Sequence, residues 1–286
     1  MISVIIPTYN EESVIADCLK SLSKQTYKQS LPLRGKNFEV IVIDDGSTDA
    51  TQDVASKLQI TNYKLQIIRT KHLGAGGARN EGVKHANGDI LVFVDGDMTF
   101  DKHFLKMLVK PIQQGKSKGT FSKDEIVSNW GSVWSRCYNK NEGWVDKRRH
   151  SKNYPDSQKV FRSILKSEFD KVGGFTAGGY NDDWSLSEKL GYEATLAENA
   201  IFFHKNPETL KEIYKHAKWV GKRKYKFGAL GYLVGLIRSS LPLSVVLGIL
   251  NSIRFGIWQF LIFKIVFDMG VFVGIINFLF TKKGSK

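Results

Sequence analysis

Ile90-Leu91-Val92-Phe93-Val94-Asp95-Gly96-Asp97 is an unbroken apolar run, too short for a typical helix, that stops at two carboxylates separated by one glycine. A run apolar on both faces suits a central strand buried between helices, and ligands of open α/β sheets bind beyond the carboxyl ends of such strands. Residues two apart point to one side of an extended chain, so Asp95 and Asp97 can face a common ligand. Paired hard oxygens suit Mg²⁺ or Mn²⁺, which bind through one or two carboxylates and complete their shell with water and substrate phosphates. A strand ending in a polar Asp-Gly turn explains the same residues without a metal.

Outward from this stretch the pattern repeats. Ser3 to Ile6 reads as a strand stopped by Pro7, and Val14, Ile15, Cys18, Leu19 and Leu22 follow at helical spacing. Phe38 to Ile43 is a second strand, closed by Asp44-Asp45-Gly46-Ser47-Thr48-Asp49 before a helix through Val54, Ala55 and Leu58. Leu65 to Ile68 is a third, leading into Gly74-Ala75-Gly76-Gly77-Ala78-Arg79. Arg79 replaces the third glycine of a dinucleotide fingerprint, although small residues at a helix start still let an anion approach.

Strands alternating with helices through short loops predict an α/β fold, a mostly parallel sheet with helices on both faces, whose acidic strand ends share one crevice. Further along, Phe104, Leu105, Leu108 and Val109 mark a helix ending near Pro111. Gly119 to Ser157 shows poor periodicity and reads as an irregular stretch, either a loop over the cleft or a solvated insertion. Lys159 to Leu165 reads as a strand, Asp182-Asp183 opens a helix continuing through Leu186 and Leu190, and Tyr192 to Ala197 and Ala200 to Phe203 read as late strands before His204.

The chain has 286 residues, 42% hydrophobic and 24% charged, which is ordinary for a globular protein. Its formal charge of +14 and pI near 9.6 imply an anionic partner. No zinc-ligand or helix-turn-helix spacing supports nucleic acid, and the basic residues gather beside an apolar C-terminal third, which favours a membrane face. Cys18 and Cys137 lie far apart, with no CxxC, and read as buried thiols in a reducing compartment. The first strand begins so early that no signal peptide is expected before it.

Asn206-Pro207-Glu208 opens a helix whose apolar face is Leu210, Ile213, Tyr214, Ala217 and Val220. Its other face and extension carry Lys211, Lys215, Lys218, Lys222, Arg223, Lys224 and Lys226, a pattern suited to an anionic surface. Leu241 to Ile253 and Phe255 to Phe280 are apolar enough for a membrane hairpin, an in-plane helix pair or a packed helical subdomain. Lys264 and Asp268 can pair at i,i+4 within the second.

Taken in order, these motifs resemble glycosyltransferase family 2, inverting enzymes of GT-A fold, from Ile2 to about His204, with Asp95-Gly96-Asp97 as the DxD motif. The resemblance implies that Pro7, Tyr9 and Glu11, from the Pro-x-Tyr-Asn-Glu opening, line the nucleotide site, that Asp44 contacts the base, and that Arg79 and Asp95 serve the donor. It implies Asp97 as a ligand of Mn²⁺ or Mg²⁺ with His204 as a further ligand, and Asp183 as the general base, with Asp182 standing for the usual Glu. Helix capping is the alternative reading of that acidic pair. Lys215-His216-Ala217-Lys218-Trp219 lacks the Gln and Arg of Q-x-x-R-W, which counts against a processive synthase.

The expected organisation is a GT-A domain over 1–205, a basic interface helix over 206–228 and a hydrophobic helical region over 229–286. A chain ending near Phe227 is expected to become soluble and keep the donor site. The expected partners are a nucleoside-diphosphate sugar, UDP-linked before GDP-linked, and a membrane lipid or lipid-linked acceptor at the cytoplasmic side of the cell membrane. A soluble saccharide acceptor, or a catalytically silent sugar-nucleotide-binding membrane module, are the alternatives; nucleic acid is not a partner.

Overall fold

A computed structural model describes residues 1–27, 38–177, 182–223 and 225–281. Gly178-Gly179-Tyr180-Asn181, which lead into the Asp182-Asp183 pair, and Lys224 of the basic face lie outside the described residues. In chain order the elements are β1 (Ile2–Thr8), α1 (Ile15–Ser23), β2 (Phe38–Asp44), α2 (Thr51–Ser56), β3 (Lys64–Arg69), α3 (Ala75–Lys84), β4 (Ile90–Phe93) and β5 (Met98–Phe100). There follow α4 (Phe104–Gln113), β6 (Gly119–Phe121), β7 (Glu125–Val127), α5 (Val133–Asn141), β8 (Ser157–Gln158), β9 (Ser163–Leu165) and α6 (Lys166–Lys171). A 3₁₀ turn (Asp182–Trp184), α7 (Ser185–Leu190), β10 (Ala194–Leu196), β11 (Phe202–His204), α8 (Leu210–Gly221), α9 (Gly228–Arg238), α10 (Leu241–Phe255) and α11 (Phe260–Thr281) complete the chain. They fall into two compact units, one of residues 1–126 and 153–204, the other of 127–152 and 205–286. Residues 127–152 thus join the C-terminal helices, whereas the linear division had kept them in the first domain.

In the first unit an eight-stranded sheet runs β3-β2-β1-β4-β9-β6-β10-β8. β1 pairs in parallel with β2 and β4, β2 with β3, and β10 with β6, while β9 and β8 run against their neighbours. Every residue of β1 and β2 is buried; most are apolar, as strands covered on both faces require, and Glu39 accepts from Ser3 Oγ at 2.6 Å. Successive side chains of β1 serve opposite faces: Val4 and Ile6 pack with Leu19, Leu105 and Leu108, and Ile5 with Val83, Phe121 and Phe169. The register sets Thr8 beside Asp44 and Asp44 beside Arg69, so β1, β2 and β3 end level, and β4, parallel to β1 and paired with it up to Phe93, runs toward the same edge. A small sheet, β5-β11-β7, carries Asp97 and His204, with His204 opposite Met98.

Two expectations change here. The strand read over Lys159 to Leu165 is shorter, Ser163–Leu165 between β4 and β6, and a separate two-residue strand before it, Ser157–Gln158, pairs with β10. The chain has to cross between those positions, and Phe161, buried there, packs where a Cβ on Gly119 would otherwise stand, 2.4 Å away. α4 ends at Gln113, near Pro111 as expected, with the proline inside its last turn. The stretch from Gly119 to Ser157 holds β6, β7 and a nine-residue helix, α5.

In the second unit α5 starts at Ser132, whose Oγ accepts from the Ser135 N–H at 3.4 Å. Its Cys137 and Tyr138 join Ile213 and Ala217 of α8 and Phe260, Phe263 and Phe267 of α11 in one buried cluster. Part of the apolar face of α8, expected at a membrane surface, therefore packs against α11. Gly221, Gly270 and Gly274 let the two backbones meet, since a Cβ on Gly274 would fall 2.3 Å from the Lys218 carbonyl oxygen. Lys264 does pair with Asp268, Nζ to Oδ1 at 2.8 Å, and Ser244 donates to Asp268 Oδ2 at 2.7 Å. Among the described residues α11 is the one helix long and apolar enough to cross a membrane; α9 and α10 pass that test only as a pair bent by 60°. α9 and α10 expose Leu230, Leu233, Ile237, Leu241, Leu250 and Ile253.

Candidate active site

The loops after β1, β2 and β3 are tied together by side chains. Asn10, at φ 56°, accepts from the Thr48 N–H at 2.8 Å and donates its own N–H to Ser47 Oγ at 3.0 Å, while the Glu11 N–H goes to Thr51 Oγ1 at 2.7 Å. These residues join two loops and do not cap α1, which has no side-chain cap. Asp45 accepts from the N–H groups of Leu73 (2.7 Å) and Gly74 (2.9 Å), and so holds the entry to α3, where Gly74 adopts φ 78°.

Asp44 is buried at the end of β2, with Oδ1 accepting from the Ser47 N–H at 2.9 Å and Oδ2 3.7 Å from Arg69 Nε. Tyr9, 46% exposed, lies with its ring centroid 4.4 Å from that of His72, an aromatic pair on the loops after β1 and β3. His72 was not singled out in the sequence. Pro7 is buried within β1, beyond the last paired residue of β4, so its missing N–H costs no ladder bond on that side.

The two acids of the DxD motif meet different partners. Arg79 Nη2 donates to Asp95 Oδ1 at 2.8 Å, Arg162 Nη1 to Asp95 Oδ2 at 3.2 Å, and the other end of the Arg79 guanidinium donates to Asp183 Oδ1. Burial would raise the Asp95 carboxyl, but Arg162 and Arg79 outweigh it and hold the group well below the usual carboxylate range. Arg79 is itself buried; that disfavours its charge, and Asp95 and Asp183 more than restore it. The resemblance gave Arg79 to the donor, and here it bridges the strand end to Asp183. Arg162 falls just before β9, and only the antiparallel pairing of β9 with β4 brings it to Asp95.

Asp182 and Asp183 meet different partners, and neither side chain caps α7. Asp182 Oδ2 accepts from the Gly76 N–H at 2.7 Å, in the first turn of α3, and its Oδ1 from the Asp183 N–H at 2.9 Å. Asp182 is therefore a brace, its carboxyl raised by burial and by Asp183 against the pull of Arg79. Asp183 keeps its carboxylate half-exposed on Arg79.

Asp97 turns the other way. Its Oδ2 lies 2.9 Å from His204 Nε2, whose Nδ1 lies 2.9 Å from Glu125 Oε1. Asp97 Oδ1 and Glu11 Oε2 are buried without a hydrogen-bond partner. Glu11 Oε2 occupies the space a Cβ on Gly96 would need, 2.0 Å away, so the glycine of the motif is set by close approach of this carboxyl. Burial first, then Asp97, Asp95 and Asp49, push the Glu11 carboxyl up to about 9.

The orphaned oxygen of Asp97 and the imidazole of His204 beside it are donors that fit Mn²⁺ or Mg²⁺. Among the described residues no group of three or more His, Cys, Asp or Glu side chains is arranged to hold a metal. Of the residues expected to hold the ion, Asp97 and His204 stand side by side, and the rest of a shell would fall to substrate and water.

Comparison with known proteins agrees with this architecture. The Glycosyl transferase family 2 profile matches residues 3–181. Glycosyltransferase AglE of Haloferax volcanii is 38% identical over 227 residues, covering 77% of the chain and 72% of AglE. Dolichol-phosphate mannosyltransferase of Pyrococcus furiosus is 32% identical over 253 residues, covering 80% and 68%. Other relatives are far longer, and the matched segment spans 18% of Glycosyltransferase GlyA of Streptococcus pneumoniae.

Among solved structures, mannosyltransferase PcManGT of Pyrobaculum calidifontis, in complex with GDP-Man and Mn²⁺, superposes with a TM-score of 0.59 at 16% identity, covering 99% of this chain and 88% of that one. S. aureus TarS 1-349 in complex with UDP-GlcNAc gives 0.56 at 17% identity, covering 99% and 92%. These likenesses carry the GT-A fold. With the profile spanning more than half of the chain, the protein belongs to glycosyltransferase family 2.

Proposed function

We propose that this chain is a metal-dependent inverting glycosyltransferase that moves a sugar from a nucleoside diphosphate to a lipid-linked acceptor at the cytoplasmic face of a membrane. One observation carries the chemical part: Arg79 holds Asp183 and Asp95 on one guanidinium, so a half-exposed carboxylate stands a single side chain away from the strand end where donors of open α/β folds bind.

In the reaction the acceptor hydroxyl oxygen attacks the anomeric carbon from the face opposite the diphosphate. The new C–O bond forms as the bond to the diphosphate oxygen breaks, and the electron pair leaves with the nucleoside diphosphate. Asp183 takes the hydroxyl proton, and Arg79 holds that carboxylate in place until the acceptor arrives. Tyr9, His72 and Asp44 receive the base. A divalent ion on Asp97 and His204 would neutralise charge on the departing diphosphate. The donor is a UDP-sugar first and a GDP-sugar second; TarS with UDP-GlcNAc and PcManGT with GDP-Man support the class.

The acceptor assignment rests on the second unit. A 22-residue apolar helix, exposed apolar side chains on α9 and α10, and kinship with a dolichol-phosphate mannosyltransferase support an enzyme that works on a membrane lipid.

The test is Asp183→Asn. Donor affinity stays near wild type, and turnover falls by about 10² to 10⁴-fold, the usual cost of losing a general base. Near-normal transfer by this variant would remove Asp183 from the role.

A further inference from the structure

Across the small sheet one row of polar side chains runs from strand to strand. Asp97 stands at the entry to β5, His204 at the end of β11 and Glu125 at the start of β7. The register places His204 opposite Met98, which brings its ring beside Asp97, with Nε2 2.9 Å from Asp97 Oδ2 and Nδ1 2.9 Å from Glu125 Oε1. The imidazole is only 18% exposed, and its plane is fixed from both sides. A neutral imidazole carries its proton on one nitrogen and its lone pair on the other, and the hydrogen bond made by the first decides which nitrogen is free. If Nδ1–H is directed at Glu125, the lone pair lies at Nε2. There it faces Asp97, whose other carboxylate oxygen is buried with no hydrogen bond. Two electron-rich groups meet at that point, and a cation between them would satisfy both.

We propose that Glu125 is a positioning residue for the metal: it holds His204 in the Nδ1–H tautomer and in the ring orientation that presents Nε2 to a divalent ion shared with Asp97. The proposal rests on the metal-dependent reading above. Glu125 does not touch the ion. Its carboxylate acts through the histidine, as outer carboxylates do for metal-bound imidazoles.

The experiment measures Mn²⁺ binding to the detergent-solubilised full chain in the presence of UDP, from the electron paramagnetic resonance signal of free Mn²⁺. Glu125→Ala weakens Mn²⁺ by about 10 to 100-fold, the usual cost of losing such a partner. Glu125→Gln, whose amide oxygen still accepts from Nδ1–H, stays close to wild type. In parallel, the ¹⁵N shifts of labelled histidine report Nδ1 as the protonated nitrogen of His204 in wild type and in the Gln variant, and lose that preference in the Ala variant.

Wild-type Mn²⁺ affinity in Glu125→Ala overturns the proposal. So does equal weakening by Ala and Gln, or a His204 spectrum with the proton on Nε2. If the wild type binds no Mn²⁺, the metal-dependent reading fails instead, and the histidine spectrum alone decides whether Glu125 holds the ring; folding of each variant is checked by its thermal transition.

Discussion

Gly96 shows how much one missing methyl decides. Its Cα faces Glu11, whose Oε2 lies where a Cβ would be, so Gly96→Ala forces the loop or the carboxyl to move. We expect a loss of about 1–3 kcal/mol in stability, as for an extra methyl in a packed site, with partial recovery in the Gly96→Ala/Glu11→Ala double variant; chemical denaturation measures both. Glu11 also sets a pH dependence. Its carboxyl is raised from 4.5 to about 9, chiefly by burial and then by Asp97 and Asp95, so the folded state keeps the proton that the unfolded chain releases. The stabilising effect is fully present below pH 4.5 and is lost as pH rises towards 9. In chelator, the melting temperature of the wild type should therefore fall over this range more steeply than that of Glu11→Gln. Parallel curves for the two proteins would show that Glu11 ionises normally.

At the scale of elements, α8 and α11 are matched by their glycines. Gly221 against Val271 and Gly274, and Gly270 against Tyr214 and Ala217, bring the backbones together without side chains between them. Gly274→Val puts two extra methyl groups and a Cβ against the Lys218 carbonyl and the Gly221 Cα, and backbone cannot swing aside as a side chain can. The expected cost is at least about 1–3 kcal/mol. Circular dichroism melts in detergent should show it, and a Gly256→Ala control, at φ 66° with nothing near its Cβ, separates backbone strain from lost packing. A Gly274→Val protein that melts like wild type would mean that the two helices part without cost.

At the scale of the molecule, the proposed membrane role has a direct readout. The full chain should float with anionic liposomes, and salt should weaken binding only in part, because apolar burial persists when charges are screened. A full chain that stays soluble without detergent would make the apolar helices a packed subdomain and remove the lipid acceptor from the reading. The structure changes what truncation should do. Ending the chain at Phe227 strips α11 from Cys137, Tyr138, Ile213 and Ala217, which share its buried cluster. The shortened protein should therefore aggregate or bind hydrophobic dye instead of behaving as a clean soluble domain. Light scattering on it, beside the full chain in detergent, tests this.

Sequence alone was enough for what depends on short range and on periodicity. The largely apolar runs ending in Asp44 and in Asp95-Gly96-Asp97 specify buried parallel strands, because a strand covered on both faces has little polar side to show, and their order with the helices specifies the α/β fold. Lys264 and Asp268 were legible for the same reason, since four residues on a helix bring side chains together whatever surrounds them. Tertiary structure decided everything set by contacts between distant segments. Arg162 reaches Asp95 only through the antiparallel insertion of β9 beside β4, Glu125 reaches His204 only through the three-stranded sheet, and Asp182 finds the N-terminus of α3 across more than a hundred residues. α5 was hidden because its run of aromatic, Ser and Asn residues has modest helix preference, and its packing against partners far along the chain outweighs that preference.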